Sequence, residues 1–428
     1  MIDQDRVAEL NESLLAHHES DLAHLVERIE REGLVDADEV IGTLAGFSVA
    51  APSWAVGTGG TRFGRFPIGG EPRNTEEKID DVAALDALTG ANGSISLHVP
   101  WDDPPDPDAL SEYAAKRGVA FDAMNSNTFQ DNSSTTRDGQ TSYKFGSLAN
   151  VDAGARDAAI EHNVYVIDLG VQLGSRALTV WLADGTNHPG QADFRGQFER
   201  VAEGLSRIHE HLPAEWKMFT EHKPYEPAFY STVNQDWGSS LLLVQAAGPK
   251  ASCLVDLGHH LPNANIEQVV SRLAMVGRLG GFHFNDSKYG DDDLTTGSIR
   301  PFQLFLIFCE LVGAGDGRAP DLAYMIDQSH NLKDPLEDLI QSTEAVLLAY
   351  AQALLVDREA LAAAQADNDP ALAQEVLQAA FRTDTRPLVA EARRRNGAAL
   401  APLAAYRSIG YREARIAERG RVTVATGL

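Results

Sequence analysis

The chain has only two cysteines in 428 residues, Cys253 and Cys309, and both sit in apolar stretches. That excludes a disulfide framework and fits a reducing cytoplasm, which is the expected compartment. No apolar run approaches the ~18 residues needed to cross a bilayer. The first 33 residues have no basic start followed by an apolar core, so they do not read as a secretory signal. Basic charge is scarce: 36 Lys and Arg against 62 Asp and Glu give a net charge of -26. A nucleic-acid binder needs a cationic footprint to displace counterions, and the only short basic run is Arg393 to Arg395. A P-loop is also missing. Gly57 to Gly64 is glycine-rich but lacks the GK[ST] ending, and no helix opens directly after it.

Eight apolar or β-branched stretches recur in order. They lie near Phe47–Ser53, Ile95–Pro100, Ala120–Asn125, Ala177–Trp181, Lys217–Glu221, Ser252–Leu257, Gly281–Asn285 and Ala323–Gln328. Segments with helical periodicity separate them, for example Ile79–Leu88, Phe194–His211 and Ile266–Leu279. Strict alternation means parallel strands joined by right-handed crossovers. Eight such units predict an α/β (β/α)₈ TIM barrel with its active site at the C-terminal strand ends.

The expected division is an N-terminal helical segment (1–45), the catalytic barrel (46–334) and a C-terminal helical extension (335–428) serving subunit association. Within the extension, Pro335–Gln365 reads as one long helix. Pro370–Arg395 reads as a second, interrupted near Pro387, and Tyr406–Arg419 as a third.

The chemistry-bearing residues fall just past the strands. The fifth stretch ends in Glu221-His-Lys-Pro-Tyr-Glu-Pro227, and the sixth in Asp256-Leu-Gly-His-His260. The seventh runs Gly281-Phe-His-Phe-Asn-Asp-Ser-Lys-Tyr-Gly-Asp-Asp-Asp293, and the eighth ends in Asp327. Two carboxylates about 4 Å apart repel by roughly 4 kcal/mol at an effective dielectric near 20. Three aspartates beside a histidine strand therefore either fan into water or are held by a cation. In a barrel, Glu221, Asp256, His283 and Asp327 converge from four adjacent strands as one metal site. His259, Asp291 and Asp293, sharing Asp256, describe a second. Oxygen donors with only two imidazoles favour Mn²⁺, Mg²⁺ or Co²⁺.

Two such ions without a basic phosphate-binding surface suit neighbouring hydroxyl and carbonyl oxygens of an open-chain sugar. Lys223, two residues from Glu221, shares its strand face and could reach the same oxygen. His98 is placed to move a hydroxyl proton during ring opening, and Trp54, Trp101, Phe129 and Trp181 to form apolar walls. Asp292, Glu226, His222 and His260 are read as caps, surface or core residues, and Asp102 to Asp108 as a rigid acidic turn.

These motifs resemble bacterial L-rhamnose isomerase, most closely the broad-specificity type that also interconverts D-allose and D-psicose. Pro52-Ser-Trp-Ala-Val-Gly-Thr-Gly-Gly-Thr-Arg-Phe63 and Phe121-Asp-Ala-Met-Asn-Ser-Asn-Thr-Phe129 extend the resemblance, which runs from about Phe47 into the C-terminal helices. Xylose isomerase is a more distant likeness. The resemblance implies a homotetramer and aldose–ketose isomerisation with two divalent ions per subunit, Mn²⁺ foremost. It assigns the metal ligands as above, and catalytic roles to His98, Lys223 and Asp327. It implies that Phe63 closes the pocket of an adjacent subunit, and it places Trp54, Trp181 and His98 in the substrate pocket. Rival readings are a ketose 3-epimerase, which needs one four-ligand metal, and a metal-dependent nuclease, which the charge disfavours.

Overall fold

A strand that is buried on both faces must be apolar almost throughout, and Ser252-Cys-Leu-Val255 and Phe282-His-Phe284 satisfy that condition. In the structure, a computed structural model describing residues 2–33, 35–57, 66–131, 141–226, 230–329 and 332–422, these segments are central strands of a parallel wall. The first strand is Ala51–Pro52. The second divides into Ser94–Ser96 and His98–Val99, and the third into Ala120–Phe121 and Met124–Ser126. The fourth to eighth are Ala177–Trp181, Lys217–Glu221, Ala251–Asp256, Leu279–Phe284 and Ala323–Ile326.

Each strand pairs in parallel with its sequence neighbour, in a seven-stranded sheet and a three-stranded one. The eighth strand also meets the chain just before the first. Ala50 N–H donates to the Tyr324 carbonyl at 2.8 Å, and Ile326 N–H donates to the Ala50 carbonyl at 3.0 Å. The fold is thus α/β and TIM-barrel-like. Close strand contact dictates some residues outright: a Cβ on Gly281 would lie 2.4 Å from the Ala323 carbonyl oxygen.

Register positions the site. Asp256 and His283 are lateral partners on the sixth and seventh strands. Trp181 pairs with Glu221, and Glu221 with Leu254. Residues near the C-terminal ends of four consecutive strands are therefore brought side by side.

Helix starts account for part of the acidic excess. Asp3, Asp36, Asp106, Asp152, Asp193, Asp236, Asp334, Asp357 and Asp369 each cap a helix by accepting a backbone N–H. Such caps contribute about 1 kcal/mol each, so these carboxylates need no ligand to explain them.

The extension differs in detail from the periodicity. The helix expected over Pro335–Gln365 breaks at residues 355–357 into Pro335–Leu354 and Arg358–Ala366, at a 65° bend. Asp357 caps the second piece, which ends the first. The second helix divides into Pro370–Phe381 and Arg386–Arg395, and the third into Pro402–Ile409 and Tyr411–Arg419 around left-handed Gly410.

Much of this extension packs on its own chain. Pro335–Leu354 lies against Pro301–Ala314, and Arg386–Arg395 against Ala37–Ala45. Buried ion pairs fix the end of the chain: Arg412 on Asp334 and Arg419 on Asp81, both at 2.8 Å. One hydrophobic core runs from Ile2 to Tyr411. Among the described residues no single helix is long and apolar enough to cross a membrane.

Candidate active site

Glu221, Asp256, His283 and Asp327 offer ligand atoms that all lie within 4.8 Å of one another. His283 Nδ1 is the centre of the group, 3.2 Å from Glu221 Oε1, 3.4 Å from Asp327 Oδ2 and 3.7 Å from Asp256 Oδ2. Three of the four residues are buried and Asp327 is half-buried. Neighbours fix the carboxylates. Asn285 Nδ2 donates to both oxygens of Asp256, at 3.0 and 3.1 Å, and Gly258 N–H donates to Oδ1 at 2.8 Å. Trp54 Nε1 donates to Asp327 Oδ1 at 2.8 Å.

So much buried anionic charge distorts every titration in the cluster. Burial, reinforced by Glu221 and Asp327, pushes the Asp256 carboxyl up to about 7. Burial works against charge on His283, yet Glu221 and Asp327 hold its imidazole up at about 10. Glu221 stays well below the usual carboxylate range despite burial, because His283 and His259 face it. Three hard oxygens and one imidazole nitrogen, already gathered and short of positive charge, fit a divalent cation.

This has a measurable consequence. A metal ligand must be deprotonated, and at neutral pH His283 and part of Asp256 are not. Binding of Mn²⁺ at pH 7 is expected to release about one to two protons per ion and to tighten as pH rises from 6 to 8. Calorimetry in two buffers of different ionisation enthalpy measures this, and an unchanged apparent enthalpy would contradict it.

The remaining expected ligands are in the same cavity but paired otherwise. His259 Nε2 lies 2.9 Å from Asp291 Oδ1, and its Nδ1 lies 3.2 Å from Glu221 Oε1 and 3.0 Å from the His222 carbonyl oxygen. Lys223 Nζ reaches Asp291 Oδ2 at 2.6 Å and sits 4.8 Å from the centre of the Trp181 ring. Asp293 Oδ2 accepts from Ser329 Oγ at 3.0 Å. Among the described residues only the first four are gathered within ligand reach of one another. The loop aims Asp291 and Asp293 through left-handed backbone, with φ of 53° and 48°. Such conformations in non-glycine residues concentrate at functional sites. Gly290 makes the turn possible, since a Cβ there would meet Tyr225 Oη at 2.4 Å. Asp292 turns away and accepts from the Lys288 and Tyr289 N–H groups, capping the loop.

The cavity above these groups measures about 250 Å³. His98 stacks on Trp101 with ring centres 3.8 Å apart, and Trp54 and Phe129 meet the same imidazole edge-on. Phe129 continues to Trp181. Burial drops the His98 imidazole to about 3, so it is neutral at physiological pH. All four aromatic wall residues expected from the sequence therefore meet in one place. Phe63 lies outside the described residues.

Several functional neighbours carried no sequence signal. Asn125, Ser126, Gln130, Thr179 and Ser329 also line the cavity. Asp102, read as part of a rigid turn, is buried. It accepts from the His98 N–H at 2.9 Å and pairs with Lys78 Nζ at 2.6 Å, anchoring the second strand's end. His222 and His260 pack edge-to-face at 4.8 Å outside the cavity lining.

Comparison with known proteins places this arrangement. No family model matches the chain. It is 54% identical over 411 residues to a "Probable sugar isomerase" of Mesorhizobium japonicum, covering 96% of this chain and 94% of that one. It is likewise 54% identical over 410 residues to a "Probable sugar isomerase" of Rhizobium meliloti, covering 95% and 94%. Among solved structures, L-ribulose 3-epimerase superposes with a TM-score of 0.54 at 17% identity, over 72% of this chain and 95% of that one. A Sinorhizobium meliloti protein does so with a TM-score of 0.51 at 13% identity, over 70% and 96%. These two likenesses concern the fold alone.

Proposed function

This chain belongs to the family of those probable sugar isomerases, and from that premise we propose that it is a metal-dependent aldose–ketose isomerase of the L-rhamnose isomerase type. The proposed reaction interconverts L-rhamnose and L-rhamnulose, with other aldoses such as D-allose also accepted. The observation that carries the reading is the meeting of a four-ligand cluster, the Lys223 ammonium and the neutral His98 imidazole in one aromatic-walled cavity.

Glu221, Asp256, His283 and Asp327 would hold one divalent ion, Mn²⁺ foremost. His259, Asp291 and Asp293, with Asp256 shared, would hold a second. Such ions supply Lewis-acid polarisation of adjacent hydroxyl and carbonyl oxygens. The protein's own groups do the rest. His98 takes the anomeric hydroxyl proton while the C1–O5 bond breaks, and O5 is protonated in return. Lys223 hydrogen-bonds the C1–C2 oxygens, favouring charge on oxygen as hydrogen moves between the carbons. Asp327, whose Oδ1 accepts from Trp54 Nε1, would take the C2 hydroxyl proton and return it to the C1 oxygen. Trp101, Phe129 and Trp181 exclude water and pack the carbon face of the sugar.

In the same reading the strand wall is a complete eight-stranded ring, and 1–45, 46–334 and 335–428 act as entry helix, catalytic barrel and association segment. The assembly in this reading is a homotetramer.

One observation favours a second reading, a ketose 3-epimerase: a single four-ligand group is gathered among the described residues. Incubation with Mn²⁺ and L-rhamnose, L-mannose, D-allose and their ketoses, resolved by chromatography, separates the two. The isomerase reading expects aldose and ketose to interconvert. Ketose converted only to its C3 epimer, with no aldose formed, would overturn it.

A further inference from the structure

The carboxylates occupy strands five to eight, while strands two to four present a different chemistry. His98, Asn125 and Thr179 are register partners on these three adjacent strands, and all line the cavity. Asn125 and Thr179 are buried, 6% and 2% exposed. Asn125 commits both amide hydrogens to the Leu97 and Ala123 carbonyls, at 3.1 and 3.3 Å, which leaves its Oδ1 as the remaining acceptor. Thr179 Oγ1 and Ser126 Oγ are buried with no hydrogen-bond partner among the described residues.

Ser126 pairs in register with Val99 and Val180, one residue out of step with this row, whereas Thr179 shares the face of Asn125 and His98. Buried hydroxyls are almost always paired, so the unpaired Thr179 Oγ1 on the wall of a ligand cavity points to a ligand that pairs it. The row carries no charge. Its oxygens can donate to and accept from a neutral hydroxyl, and they offer a phosphate no cation.

We propose that Thr179 and Asn125 form a specificity subsite for one hydroxyl of a free, unphosphorylated monosaccharide, beyond the pair of oxygens engaged at Glu221 and Lys223. The inference rests on the sugar isomerase reading and deepens it. Thr179 is a specificity residue here and takes no part in moving hydrogen.

The test uses the Mn²⁺-loaded full chain as wild type, Thr179→Val, Thr179→Ser and Thr179→Ala, assayed on the best aldose, on its 3-deoxy and 4-deoxy analogues and, where that sugar carries a 6-hydroxyl, on its 6-deoxy analogue. Thr179→Val keeps the shape and removes the hydroxyl. It is expected to lower kcat/KM about tenfold on the full sugar, mostly through KM, the loss of roughly one hydrogen bond. On the one analogue lacking the contacted hydroxyl, wild type and variant should be equal. Thr179→Ser should restore the wild-type ranking. Equal losses on every analogue, or no loss on any, overturn the subsite while leaving the isomerase intact. If Thr179→Val fails to fold, Thr179→Ala decides by the same criterion. Wild-type protein that neither converts an aldose nor binds the corresponding polyol by calorimetry removes the reading, and the subsite with it.

Discussion

Asp256→Asn is expected to lose sugar turnover by a factor on the order of 10³ while the metal-free protein melts no lower than its parent. The two halves of that result have one cause. Asp256 is fully buried and lies 3.7 Å from His283, and burial, with Glu221 and Asp327 crowding it, pushes its carboxyl up to about 7. A carboxyl whose folded pKa is raised contributes stability when protonated and loses it as pH rises through that value. Above pH 7 the charged Asp256 therefore strains the metal-free fold, and a neutral amide relieves it. Its carbonyl oxygen can keep the Asn285 and Gly258 donors.

The cost appears only with the cation, whose Lewis-acid contribution of several kcal/mol corresponds to a rate factor of ~10³. Parallel melting scans with and without Mn²⁺, beside an isomerisation assay, check both halves. Retained turnover, or a variant destabilised already without metal, would count against the assignment.

Lys223→Met should leave metal binding within a few-fold and lower kcat by about 10²–10³, the usual cost of deleting one preorganised donor in a water-excluded site. Lys223 is 2% exposed, its ammonium pairs with Asp291, and Trp181 lies alongside. Methionine preserves most of the stem's packing, so a fold defect is not the expected outcome. His259 remains within 2.9 Å of Asp291 to balance its charge. Mn²⁺ titration and steady-state kinetics on the same preparation separate the effects. A variant that loses the metal along with activity would show Lys223 to be a structural countercharge alone.

How far the site could be read from the sequence follows from where each side chain's placement is decided. Strand ends were legible because parallel strands in sequence order bring their C-terminal residues together whatever lies between. Glu221, Asp256, His283 and Asp327 needed only that rule. The aromatic wall followed from the same rule. Partner choice did not: Lys223 shares a strand face with Glu221, yet its long stem carries the ammonium to Asp291, a contact set by how the 290–293 turn is wound.

Asn125 and Thr179 received no individual role because polar residues in short strands have no periodic mark. Only the register with His98 gives them one. The same holds for Asp102, whose meaning depends on Lys78 and Ser53 from other elements. Helix breaks at Asp357 and Gly410 were missed for a local reason: the apolar spacing continues across both.

The central claim is that the four gathered side chains hold a divalent cation at neutral pH. Equilibrium binding of Mn²⁺ to chelator-treated protein tests it directly. The account predicts saturable binding at this site that raises the melting temperature by about 3 °C at a hundredfold excess over the dissociation constant, and a stoichiometry that falls by one ion per subunit in His283→Gln. Protein that binds no Mn²⁺, Co²⁺ or Mg²⁺ and melts identically with and without them would contradict it.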